Sequence, residues 1–178
     1  KIKAIVVLAS VMALATPGVA FADRQTTIDP VGDMWTIGTP VPSSEMDIIK
    51  FKTNYDGQTI KMRATFAQLE MAGKSQVLMA ALAPNNRALV AAMNYDGLEP
   101  TWGLRELSLP NGRIAIVRRV DCTAVNGHIN LARRTITMII SAECFARPSQ
   151  IKTLALTRAT VEGGDWRDGA DYSTESPV

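Results

Sequence analysis

Residues 47–66 alternate more strictly than any other stretch of the chain. Ile49, Phe51, Thr53 and Tyr55 take one set of alternate positions, and Lys50, Lys52 and Asn54 take the other. After Asp56-Gly57 the pattern resumes, with Ile60, Met62, Ala64 and Phe66 set against Lys61, Arg63 and Thr65. A period of two on both sides of an Asp-Gly pair specifies an antiparallel hairpin, one face buried and the other wet. Its outward face carries two basic stripes.

The rest of the chain follows the same grammar less cleanly. Residues 76–82 and 88–95 flank Pro84-Asn85-Asn86 and are richer in alanine and methionine, which suits a more buried sheet; a helix over 88–93 is the alternative. Residues 96–109 hold Gly97, Pro100, Trp102 and Gly103, and read as a long loop ending in a short strand over 104–109. Residues 113–156 read as an antiparallel meander: a strand to Cys122, an Asn126-Gly127 turn, an apolar piece around Ile129 and Leu131, an Arg133-Arg134 corner, and a strand over 135–140. Cys144-Phe-Ala-Arg-Pro148 then leads into a strand over 151–156. Prolines and glycines in 23–46 suggest an irregular lead-in, and 162–178 reads as an acidic tail. The expected fold is all-β, an antiparallel two-sheet sandwich over 47–161 with one disulfide.

The first 22 residues stand outside that argument. Lys1 and Lys3, an apolar run over 4–15 and Ala20-Phe21-Ala22 form the three parts of an export signal, with about 12 apolar residues against the roughly 20 a membrane span needs. The expected location is secreted or extracytoplasmic, without stable membrane insertion after cleavage. Removing Lys1 and Lys3 leaves equal numbers of basic and acidic residues. Cys122 and Cys144 are the only cysteines, and in an oxidising compartment such a pair is expected as a structural disulfide worth roughly 3 kcal/mol.

Asp29-Pro-Val-Gly-Asp33, a strand opening at Asp47-Ile48, a hairpin with basic alternate positions and the late Cys144-Phe-Ala-Arg-Pro148 occur in that order. The pattern resembles small secreted proteins of actinomycete-type bacteria with an Asp-Pro-x-Gly-Asp lead-in and a Cys-Leu-Gly-x-Pro corner. Those proteins are similar to DOMON-type and family-9 carbohydrate-binding modules, so the resemblance implies a β-sandwich. Phe145-Ala146 replaces Leu-Gly here, and no tryptophan follows Pro148.

Catalytic chemistry finds little to work with. His128 is the only histidine, placed just after the expected Asn126-Gly127 turn, and no G-x-S-x-G elbow occurs. Glu99 and Glu106 flank the Trp102 loop, but among 17 acidic residues such a pair has no diagnostic value. Calcium is the one cofactor suggested, through Asp29, Asp33 and Asp47, with Asp165, Asp168 and Asp171 as a second group; the alternative is that Asp29 and Asp33 are turn formers. Arg118, Arg119, Arg133, Arg134 and Arg147 could form a patch for anionic polymers such as teichoic acids or nucleic acid, but the stretch holds a single aromatic, Phe145, and the mature chain has no net charge, so a solvated sheet face is expected. Trp35, Trp102 and Trp166 all fall in expected loops.

The expectation is therefore a secreted, non-catalytic module for an extracellular ligand, a carbohydrate or cell-envelope polymer. Trp102 would be its platform, beside Glu99 and Arg105. The alternative is an accessory or structural envelope protein working through protein contacts.

Overall fold

A computed structural model describes residues 23–33, 35–36, 39–40, 46–71, 74–83, 87–108, 116–119, 125–145, 151–161 and 164–170. Residues 1–22, expected as an export signal, and Cys122 fall outside these residues, as do Arg147 and Asp171. The described chain is nearly all strand, arranged as two antiparallel sheets. One sheet, A, has five strands in the order β1 (Asp23–Ile28), β4 (Ile48–Tyr55), β5 (Thr59–Phe66), β11 (Thr135–Ser141) and β10 (Asn126–Asn130). The other, B, has eight: β3 (Thr39–Pro40), β2 (Trp35–Thr36), β13 (Gly164–Ala170), β12 (Lys152–Val161), β6 (Lys74–Ala83), β7 (Arg87–Tyr95), β8 (Pro100–Ser108) and β9 (Ile116–Arg119). A short 3-10 turn, Ala142–Phe145, follows β11.

The hairpin over 47–66 forms as its alternation dictates from Lys50 onward; at its start a bulge buries Ile48 in place of the expected Ile49. Asp56 caps its turn: Oδ1 accepts the Gln58 and Thr59 N–H groups at 2.9 and 2.6 Å, and Gly57 supplies a φ of 77°. Those N–H groups, the Thr59 backbone first, hold the Asp56 carboxyl below its ordinary pKa. Phe51, Tyr55, Ile60, Met62, Ala64 and Phe66 turn inward to meet Val77, Met79, Leu89, Ala91 and Met93 of sheet B. Two polar ties cross this core. The Thr53 and Thr153 hydroxyls share a hydrogen bond of 2.7 Å, and Thr157 Oγ1 donates to the Met46 carbonyl at 2.8 Å.

Several expectations are corrected. The lead-in is not irregular throughout, because Asp23–Ile28 pairs along β4. The tail is not simply solvated either, because Gly164–Ala170 pairs with β12 and β2. Residues 100–108 form one nine-residue strand, confining the expected long loop to 96–99. Trp35, Trp102 and Trp166 therefore stand in strands, not loops.

The meander is also broken. β9 belongs to sheet B while β10 and β11 belong to sheet A, so the chain changes sheets between them before β12 returns to sheet B. Asn126-Gly127 opens β10 instead of turning. The turn lies over residues 131–134, where Arg134 takes a φ of 53° and its N–H donates to the Leu131 carbonyl.

Candidate anion-binding face

The sites expected from sequence do not assemble. Trp102 lies opposite Met93 on the inward side of β8, half-buried against the core, whereas Arg105 pairs with Val90 on the outward side and is exposed. Glu99 sits in the preceding turn, also exposed. Successive strand residues face opposite ways, so Trp102 and Arg105 cannot flank one ligand. The indole lies directly over Gly127 of sheet A, so close that a Cβ at Gly127 would enter its rings. Trp102 is thus a joint between the sheets.

The three lead-in aspartates are brought near the start of β4 by local backbone devices. A bulge between Ile48 and Lys50 lets the Ile49 carbonyl accept the Asp29 N–H at 3.1 Å. Gly32, at a φ of 86°, donates its N–H to Asp47 Oδ2 at 2.7 Å. Asp47 is fully buried and Asp29 nearly so. Asp29 Oδ2, Asp33 Oδ1 and Asp47 Oδ1 are buried and accept no hydrogen bond, although Asp29 and Asp47 are engaged through other atoms. Among the described residues no three His, Cys, Asp or Glu side chains have the geometry to hold a metal ion. The arrangement reads as a structural anchor that pins residues 29–33 to the core.

Other candidates are dispersed. His128 is exposed on β10, with Thr137 as its register partner. Glu106 pairs with Arg87, whose Nε–H donates to Glu106 Oε1, while Glu99 is exposed in the segment before β8. The basic stretch is split, with Arg118 and Arg119 on β9 of sheet B and Arg133 and Arg134 at the β10–β11 turn of sheet A.

What the fold does assemble is the outward side of sheet A. In register, Arg24, Asn54 and Lys61 form one row across β1, β4 and β5; Thr26, Lys52 and Arg63 form the next; Ile28, Lys50 and Thr65 form the third. Five cations share this face, and among the described residues no Asp or Glu occupies an outward position on its strands. Rows lie about 7 Å apart along the strands and neighbours about 4.8 Å across them, a closely spaced cationic lattice.

Arg24, Lys52, Thr53, Asn54, Lys61 and Arg63 line a shallow concavity of about 230 Å³. The Arg63 Nε–H donates to Thr137 Oγ1 at 3.0 Å, which fixes that side chain across β11. Lys50 beside it, then burial, then Arg24 and Arg63 lower the pKa of Lys52. The three neighbouring charges that lower it are all positive. The electrostatics therefore favour an incoming anion.

No protein-family model and no curated protein sequence matches the chain. The function must be argued from the face itself.

The hairpin half of this face was readable as two basic stripes. Arg24 is not evident from sequence because the prolines and glycines of 23–46 suggest irregular chain, although Arg24 and Thr26 alternate with Gln25 and Thr27.

Proposed function

We propose that the protein is an exported, non-catalytic binding module whose ligand is an anionic polymer of the cell envelope. The observation that carries this reading is the cationic face of sheet A, in which Arg24, Lys52, Lys61 and Arg63 surround one concavity. A flat lattice of cations suits repeated phosphate, sulfate or carboxylate groups, engaged at several points of modest strength. A neutral sugar platform is the weaker form of the reading, since the indole of Trp102 packs against Gly127.

Binding to a poly(glycerol phosphate) or polyphosphate chain should weaken as salt rises, and neutral polysaccharide should not compete. Lys52→Gln with Arg63→Gln should reduce affinity by roughly tenfold or more at low salt. Affinity should also fall as pH rises through the lowered pKa of Lys52, where its positive charge is lost. Equal affinity of the double variant and the wild type in a calorimetric titration would remove the face from consideration.

Export itself is part of the proposal, and with it a Cys122–Cys144 bridge. No free cysteine stands among the described residues, and Cys144 lies on the 3-10 turn after β11. Thiol titration of the unfolded, unreduced protein should find essentially none; two per chain would overturn the bridge.

A second reading, an accessory envelope protein acting through protein contacts, is favoured by the apolar outward side of sheet B.

A further inference from the structure

Sheet A and sheet B treat their outward sides differently. On β6 the outward residues are Leu78, Ala80 and Leu82; on β7 they are Ala88, Val90 and Ala92; on β12 they are Leu154 and Leu156; and on β8 Leu107 joins them. The inward sides of the same strands carry Val77, Met79, Ala81, Leu89, Ala91 and Met93. Strands apolar on both sides belong to sheets covered on both sides.

The relief of this face has the form of a packing surface. Ala80, Ala88 and Ala92 are only 5, 3 and 8 % exposed, so they form hollows, while Leu156 at 36 % stands as a ridge. A hollow bounded by Gln76, Leu78, Leu156 and Arg158 opens at one end of the patch. Large and small residues in alternation let two sheet faces interdigitate at about 10 Å.

We infer that this face packs against the same face of a second copy of the chain, giving a two-fold dimer joined through β12, β6, β7 and β8. Four strands of nine or ten residues present about 600 Å² in projection at ordinary strand spacing. Accessible area exceeds projection, so the face approaches the roughly 800 Å² per partner of a stable interface. Arg105, exposed beside Val90, and Lys152 and Arg158 at the margin are charges of this face, and the latter two interact with other groups of their own chain. An isologous contact needs only a self-complementary patch, and alternating leucine and alanine supplies one. The two cationic faces then point outward on opposite sides, able to engage polymer twice. The dimer deepens the protein-contact reading and does not depend on polymer binding.

Sedimentation velocity of the purified protein at micromolar concentration should show a dimer. Leu156→Glu, at the most exposed position of the patch, should raise the dimer dissociation constant at least 100-fold with an unchanged circular dichroism spectrum. Leu78→Gln provides a milder variant if that one folds poorly, and polymer affinity per chain should be kept in both. A wild-type monomer at high micromolar concentration would overturn the inference. So would a dimer insensitive to both substitutions, or a monomer that uses Leu78 and Leu156 to adsorb to anionic phospholipid vesicles.

Discussion

Gly127→Ala should destabilise the protein by about 3 kcal/mol, an unusually large effect for adding one methyl group to a strand. The new Cβ would lie inside the Trp102 ring system, and neither the indole nor the β10 backbone can move without opening the contact between the sheets. Trp102→Ala alone should cost a similar amount by leaving a gap over the core. The informative comparison is the double variant. With the indole gone, the Gly127 methyl meets open space, so the two losses should be far from additive in urea melts. Additive losses would mean that the two residues do not touch. This result also bears on sugar binding, since an indole whose removal unfolds the joint is not a solvent-facing platform.

Asp47→Ala should cost about 3 kcal/mol or more, with or without a calcium chelator. The carboxylate is fully buried and accepts the Gly32 N–H, while its own backbone carbonyl accepts the Ala67 N–H at 2.9 Å. Removing a buried charged acceptor forfeits a charge-assisted bond and strands the donor. Asp47 also follows Met46, a buried residue held at a φ of 57° by bonds from its N–H to Gln68 and from Thr157 to its carbonyl. Such a conformation persists only where its surroundings hold it, so loosening Asp47 should release residues 29–33 and Met46 together. Thermal melts of wild type with and without chelator complete the test. A chelator that lowers the wild-type melting temperature would restore calcium to these aspartates.

How much of this was legible depends on where each strand gets its stability. β4 and β5 carry a full alternation and their own turn residues, so local sequence sufficed. β1 and β13 are strands because β4 and β12 offer them an edge. DRQTTI and GDWRDGA have little apolar pattern, and pairing overrides their weak preference. Asn126-Gly127 misled in an instructive way. The glycine that marks a turn in isolation serves here as the flat site on which Trp102 rests. The aspartates could be read as turn formers, but not the bulge and left-handed Met46 that bury Asp47. The cationic face was half legible, and its third strand became visible only through the pairing of Arg24 with Asn54.

The most direct test of the cationic face is a map of amide chemical shifts during titration with a short polyphosphate. Perturbations should centre on Arg24, Lys50, Lys52, Asn54, Lys61 and Arg63, shrink in high salt and be absent from Glu99 and Trp102. Perturbations centred on residues 96–105 instead, with β4 and β5 unmoved, would contradict binding at the cationic face.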